Sequence, residues 1–258
     1  AHSRYLPDRR DLNRSFPGHE GGSLAAQLAH CFLANVIERC TLGIDMHTAA
    51  VHRYNLPQIR IASGSPYLTE LAMAFGAPII VESPLRPGSM RALAAEREVP
   101  MLLLEAGEAL RFDRYSIGVG AAGVLRVLAY IGMIAASDGI DNTAVPMRAN
   151  RSHWVRAPRG GVSRRVRKSG DIVRQGNLLA VVGGLFGEDG IELVSPIDGV
   201  IIGHATLPVV NQGDALFHIA EVGALDHVGE NAHSIVEAMA VSDPPFPASP
   251  ILDEDELL

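Results

Sequence analysis

The chain has 258 residues, of which 47% are hydrophobic and 20% are charged, and its formal net charge at pH 7 is −7. This length predicts one large domain or two smaller ones around a hydrophobic core. The composition is typical of a soluble globular protein, and the acidic balance argues against a nucleic-acid binder. No apolar run approaches the ~18–20 residues that span a bilayer, so no membrane segment is expected.

Two cysteines, Cys31 and Cys40, lie in a segment that reads as a helix. Because nine positions separate them, they would point to roughly opposite faces, and no disulfide is expected between them. The low cysteine count and the lack of a signal-peptide pattern predict a cytoplasmic protein. The first residue is Ala1 rather than Met, so we expect the gene product to begin further upstream.

The first predicted element is an amphipathic helix over residues 23–39, with Ser23 as its N-cap. Its apolar residues recur at helical spacing: Leu24, Leu28, Phe32 and Val36. Short apolar runs and helical stretches then alternate along the chain. The predicted strands cover residues 42–46, 59–62, 78–81 and 101–104, and the predicted helices cover residues 67–75, 89–98 and 116–134. This alternation predicts an α/β fold with a mainly parallel or mixed sheet flanked by helices.

The chain changes character after about residue 150. Residues 154–222 are rich in Gly, Val and Ile, and residues 155–162 are repeated in part by residues 193–200. Two similar sets of short strands predict a small C-terminal all-β barrel or sandwich. We therefore expect a catalytic domain over 1–150, a β-barrel over 151–222, and a helix (224–239) with an acidic, Pro-rich tail within 223–258.

Three polar elements are candidates for chemistry. His47 follows Asp45 at a strand end, as a metal ligand with an orienting carboxylate would, although a lone structural histidine fits as well. Glu105 ends a buried apolar strand, where a carboxylate is costly unless functional, or else turns to solvent. Asn13 and Arg14 could bind a carboxylate or acyl oxygen, but the same residues are also typical of a solvated basic loop.

Together these elements resemble the succinylglutamate desuccinylase/aspartoacylase family, which is related to the zinc carboxypeptidases. Residues 11–18 (Asp-Leu-Asn-Arg-Ser-Phe-Pro-Gly) are similar to its Asn-Arg signature. Residues 44–48 (Ile-Asp-Met-His-Thr) and 105–107 (Glu-Ala-Gly) resemble its histidine and glutamate elements. The resemblance implies a zinc carboxypeptidase-like fold over residues 1–135 with an attached C-terminal barrel.

The resemblance also implies roles for the residues. His47 would be a zinc ligand, Glu105 the acid/base that activates water and protonates the leaving amine, and Arg4 the group that polarises the scissile carbonyl. The substrate-binding residues would be Asn13, Arg14 and, as a weaker match, Arg91. The implied reaction is Zn²⁺-dependent hydrolysis of an amide or ester bond in a small N-acyl amino acid or related acyl amine. The oligomeric state is left open, a homo-oligomer being among the alternatives.

The chain departs from the family in one respect. The family places two further zinc ligands, a His-x-x-Glu pair, upstream of the Asn-Arg motif, and the ten residues before Asp11 contain no such pair. We therefore expect the N-terminal part of the catalytic domain to be missing from this chain. Two other His-x-x-Glu strings, at residues 218–221 and 227–230, fall in the wrong context, and we interpret both as accidental.

The repeated Pro-x-x-Gly-Val segments resemble the biotinyl/lipoyl hammerhead, which raises the alternative of a swinging-arm carrier. A carrier needs a modifiable lysine between the two halves, and residues 183–190 contain none; Lys168 lies in the first half. A second alternative is a non-catalytic member of the family that keeps the fold and a small-molecule pocket.

Overall fold

The computed structural model describes residues 3–135, 145–187 and 189–223. The helices in these ranges are α1 (Leu24–Asn35), α2 (Pro66–Phe75), α3 (Met90–Glu96) and α4 (Arg114–Tyr130). The strands of the first part are β1 (Gly43–Ala49), β2 (Arg53–Ile61), β3 (Ile79–Glu82), β4 (Met101–Glu108) and β5 (Met147–Ala149). Those of the second are β6 (Arg151–Arg156), β7 (Gly161–Arg165), β8 (Ile172–Val173), β9 (Leu178–Gly183), β10 (Ile191–Val194), β11 (Gly199–Ala205), β12 (Val209–Val210) and β13 (Ala215–Glu221).

The central sheet is mixed and flanked by helices, which confirms the predicted fold class. Strands β1 and β4 pair in parallel, as do β2 with β3 and β3 with β5, whereas β2 and β4 are antiparallel. Helices α2 and α4 cover one face of this sheet. Their core includes Leu71 and Phe75 from α2 and Ile59, Leu102 and Leu104 from the strands. On the opposite face, the ends of β1, β2 and β4 carry the polar residues His47, Arg60 and Glu105.

Helix α1 has a different buried face from the one its sequence pattern suggests. Ser23 caps it as predicted, because its side chain accepts a hydrogen bond from Ala26 N at 3.3 Å. The helix ends at Asn35, and a short 3₁₀ turn over residues 37–39 replaces its predicted last turn. The buried residues are Ala25, Ala29 and Leu33. The four apolar residues of the predicted stripe are each 38–42% exposed: Leu24, Leu28, Phe32 and Val36.

The predicted C-terminal barrel is not confirmed. Strands β11, β13 and β6 extend the central sheet, because β11 pairs antiparallel with the first half of β2, while β3 pairs with its second half. The remaining strands form an open four-stranded sheet in the order β10-β9-β7-β12. A closed barrel is not confirmed, because this sheet is open and β11 pairs with β2 of the central sheet.

Alternating residues of β11 and β13 pack in two directions. Ile201, Phe217 and Ile219 pack with the open sheet in one core. Val200 and Ala220, which alternate with them, pack in a second core that also contains Leu56, Ile79, Val81 and Met147 from the first half of the chain. The two halves of the chain are therefore joined both by strand pairing and by a shared core.

No helix in the described parts of the chain is long and apolar enough to cross a membrane. Cys31 and Cys40 are both free and exposed. The helix predicted over residues 224–239 and the acidic tail lie outside the described residues.

Candidate active site

A cavity of about 370 Å³ lies on the face of the central sheet opposite α2 and α4. All six residues singled out in the sequence contribute to its lining: Arg4, Asn13, Arg14, His47, Arg91 and Glu105. They come from the N-terminal loop, β1, α3 and β4, and the parallel pairing of β1 with β4 places His47 beside Glu105. The structure thus collects into one site residues that are up to about 100 positions apart in the sequence.

His47 and Glu105 are direct neighbours in the β1–β4 ladder. His47 Nε2 lies 2.9 Å from Asp45 Oδ2, two residues earlier on the same strand. This hydrogen bond raises the pKa of His47 above 6.5, against the effect of burial. Because the pKa is higher in the folded chain, the pair stabilises the fold fully below pH 6.5. That contribution is lost as the pH rises through the raised pKa.

Glu105 is held from one side only. Asn55 Nδ2 on β2 donates to Glu105 Oε2 at 3.1 Å. Among the described residues, no hydrogen bond reaches the other carboxylate oxygen, Oε1. The half-buried carboxylate therefore has one fixed oxygen and one that is available to a ligand in the cavity.

Three arginines, Arg60, Arg86 and Arg91, form the cationic wall of the cavity. Burial lowers the pKa of Arg60 and of Arg91, and the charges of neighbouring arginines lower both further. Arg91 Nη2 donates to Ser83 Oγ and Pro84 O, both at 3.0 Å. Arg60 Nε and Arg91 Nη1 are buried and have no hydrogen-bond partner among the residues that the structure describes. Like charges with unused donors at a cavity wall are arranged to receive an anion.

The N-terminal loop residues of the site are partly engaged by the protein itself. Arg4 makes an ion pair with Asp11, with Nη2 at 2.7 Å from Oδ2. Asn13 Oδ1 accepts a hydrogen bond from Met90 N, the first residue of α3, at 2.8 Å. The Arg14 guanidinium donates to the carbonyl of Asn13. These contacts tie the loop to the start of α3 and leave the Asn13 amide nitrogen available to the cavity.

The C-terminal strands β6 and β13 form a further wall of the cavity, which was not predicted from the sequence. Trp154 and His218 stack with ring centroids 4.0 Å apart and planes inclined by 7°, and Arg53 lies 5.9 Å from the Trp154 centroid. His218 Nε2 lies 2.9 Å from Ser152 Oγ. Burial, with the charge of Arg60 nearby, lowers the pKa of His218 to about 3, so its ring is neutral at pH 7. The sequence feature that could have pointed to His218 is its position between apolar residues in the strand Ala215–Glu221.

The string at residues 218–221 is not a pair of metal ligands, since residues three apart on a strand point to opposite faces. No group of three histidine, cysteine, aspartate or glutamate side chains in the described ranges is arranged to hold a metal ion. A catalytic zinc needs three protein ligands. His47 is one suitable donor, but the described residues alone do not fit a complete zinc site.

The family model for the succinylglutamate desuccinylase/aspartoacylase catalytic domain matches residues 1–131. A curated relative is the N-alpha-acetyl-L-2,4-diaminobutyric acid deacetylase of Halomonas elongata. It is 26% identical over 226 residues, which are 83% of this chain and 66% of that protein. The chain thus spans just under two thirds of the length of this relative.

Solved structures show the same fold. A succinylglutamate desuccinylase/aspartoacylase from Rhodobacter sphaeroides is 27% identical, with a TM-score of 0.75, and the match covers 85% of this chain and 70% of that chain. The product-bound ectoine utilization protein EutE (DoeB) from Ruegeria pomeroyi is 23% identical, with a TM-score of 0.77 over the same shares, 85% and 70%. The mixed sheet with flanking helices is therefore the architecture of these proteins too.

Proposed function

Because the chain belongs to the succinylglutamate desuccinylase/aspartoacylase family, we propose that it carries the substrate cavity of a deacylase. The reaction is hydrolysis of the amide or ester bond of a small N-acyl amino acid or related acyl amine. One observation carries this proposal: Glu105, a carboxylate with a free oxygen, shares a cavity with Arg60 and Arg91, each of which buries one nitrogen without a partner among the described residues.

The family resemblance and the positions of the side chains around the cavity support the following roles. Arg60 and Arg91 bind the carboxylate of the amino-acid half through charge-assisted hydrogen bonds. Asn13 and Arg14 orient the acyl half, and Arg4 stabilises the negative charge that develops on the scissile carbonyl oxygen. Glu105 accepts a proton from the attacking water and returns it to the leaving amine, so an amide and water give a carboxylate and an amine.

Zinc dependence is part of the proposal, with His47 as one ligand. The relevant donors in the described residues are too few to hold zinc, so the two remaining ligands must come from outside them. We expect the gene product in full to contain about one zinc per chain and His47→Ala to lose it. Elemental analysis after gel filtration measures this directly. Zinc retained at full stoichiometry in His47→Ala would contradict the assignment of His47.

The same incomplete donor set favours a second candidate, a non-catalytic family member that binds a small molecule in this cavity. The two candidates differ in an assay of the full gene product with a panel that includes N-acetyl-L-2,4-diaminobutyrate and N-succinyl-L-glutamate. Release of free amine supports the deacylase. Binding by calorimetry without amine release, in a preparation analysed for zinc, supports the binding protein.

Arg60→Met tests the anion-binding role of the cationic wall. A charge-assisted hydrogen bond contributes about 1.5–3 kcal/mol, so we expect KM to rise about 10- to 150-fold with a smaller change in kcat. Thermal stability should not fall, because the buried Arg60 Nε has no hydrogen bond to lose among the described residues. Steady-state kinetics and thermal unfolding measure the two effects.

Arg167→Met is the matched control, since Arg167 is exposed and does not line the cavity. The same substrate with its carboxylate converted to a carboxamide should bind wild type and Arg60→Met with similar KM. An unchanged KM for the carboxylate substrate in Arg60→Met would show that this arginine does not bind the anion.

A further inference from the structure

We propose that Asn55 is a positioning residue for Glu105 and that Gly203, from the C-terminal strands, keeps Asn55 in place. The inference rests on the role proposed above for Glu105. It adds a chain of three residues, Gly203, Asn55 and Glu105, that runs from strand β11 through β2 to β4.

The contact between Asn55 and Glu105 fixes one oxygen of the carboxylate. An ionised carboxylate can only accept hydrogen bonds, and an amide nitrogen can only donate them. The 3.1 Å contact from Asn55 Nδ2 therefore holds Glu105 Oε2 and decides which oxygen, Oε1, is left for the reacting water. A general base must lie within hydrogen-bond reach of the proton that it takes, so this orientation bears on rate.

A β-bulge in β2 directs the Asn55 side chain toward Glu105. Asn55 pairs with Gly107 and Gln58 pairs with Glu105, so β2 has one residue more than β4 between these two pairs. Pro57, which cannot donate a ladder hydrogen bond, lies in this bulge. Bulges of this kind redirect side chains and are frequent beside active sites. Here the bulge places the Asn55 amide within reach of the carboxylate two residues away from its own ladder partner.

Gly203 determines where the Asn55 amide can lie. The two residues are partners in the antiparallel pairing of β11 with β2. A Cβ atom at position 203 would come within 2.9 Å of Asn55 Oδ1, closer than real Cβ contacts, and within 3.5 Å of His218 Cβ. A larger residue at position 203 would therefore displace the Asn55 side chain, because Asn55 Oδ1 is the atom closest to the added Cβ.

The test is a double-mutant cycle with Gly203→Ala and Asn55→Ala, assayed with the substrate found for wild type. We expect Asn55→Ala to lower kcat about tenfold or more and to leave KM within about twofold, because the oxygen that it orients acts in proton transfer. Gly203→Ala should lower kcat less. The double variant should be no slower than Asn55→Ala, since Gly203 acts through Asn55.

Two further variants serve as controls. Asn55→Asp keeps the shape of the side chain and removes the donor, so its kcat should fall at least as far as that of Asn55→Ala. Asn55→Asp adds no volume. It therefore still tests the role of Asn55 if thermal unfolding shows that Gly203→Ala does not fold. Gly118→Ala adds a methyl group to an exposed glycine of α4 with nothing within 4 Å, and should leave kcat unchanged.

Crystal structures of Asn55→Ala and Gly203→Ala give a readout that needs no activity. We expect the Glu105 carboxylate to leave its position in both. If wild type releases no amine from any substrate, the proposed function fails, and the position of Glu105 still decides the inference. A Glu105 that stays in place in Asn55→Ala, rates that multiply independently in the double variant, or a loss confined to KM would each overturn it.

Discussion

Glu105→Gln is expected to lower kcat for amide hydrolysis by about 10²- to 10⁴-fold, with a much smaller change in KM. Glutamine keeps the size of the side chain and can still contact Asn55, whose amide lies 3.1 Å from the carboxylate. It cannot take a proton from water or return one to the leaving amine. Initial rates of amine release by the full gene product, under saturating and limiting substrate, separate kcat from KM.

Glu108→Gln is the matched control for this substitution. Glu108 lies three residues further along β4, where Oε1 accepts a hydrogen bond from His52 N at 3.0 Å, and it does not line the cavity. A glutamine there keeps an acceptor, so kcat should be unchanged. Hydrolysis by Glu105→Gln at the rate of Glu108→Gln would exclude Glu105 as the proton-transfer group.

Phe75→Ala is expected to lower the free energy of unfolding by about 3–5 kcal/mol. Phe75 is fully buried at the end of α2, in the core between the helices α2 and α4 and the central sheet. Its ring lies against Gly123 of α4 so closely that a Cβ on Gly123 would come within 2.4 Å of two ring carbons. Removing the ring leaves a cavity between the two helices that a glycine cannot fill. Urea unfolding followed by circular dichroism measures the loss.

Phe112→Ala is the control for the loss of a phenyl ring, because Phe112 is 97% exposed. Its effect should stay within about 0.5 kcal/mol. A second variant, Gly123→Ala, adds volume at the same contact and should cost about 1–3 kcal/mol through overpacking. Equal stability of Phe75→Ala and Phe112→Ala would contradict the packing described for α2 and α4.

The parts of the fold that could be predicted are those set by local pattern. The alternation of short apolar runs with capped helices predicted the mixed sheet, and serine caps at Ser23 and Ser89 mark two helix starts. Glu105 was singled out because a carboxylate at the end of a buried strand is costly without a role, and His47 because it follows Asp45 at a strand end. The resemblance to the family then favoured a site role for both. Their neighbouring positions in the sheet follow from the parallel pairing of β1 with β4.

The parts that could not be predicted depend on pairing between distant segments. Arg60 looks like an ordinary strand residue until β2 lies beside β4, and Asn55 has no visible function until the bulge turns it toward Glu105. His218 and Trp154 reach the cavity only because β11 continues the central sheet. The repeat predicted strands correctly in residues 151–222, but no local pattern states which sheet a strand will join.

The antiparallel pair of β2 and β11 also sets the order of events during synthesis. The partner of Asn55 is Gly203, which leaves the ribosome about 150 residues later. At about 5–20 residues per second this interval is roughly 7–30 s. During this interval one edge of the first half of β2 has no partner strand. Leu56 also lacks the core that it later shares with Val200 and Ala220. An unpaired strand edge favours association between chains in this interval, and the cavity closes only after β11 has been synthesised.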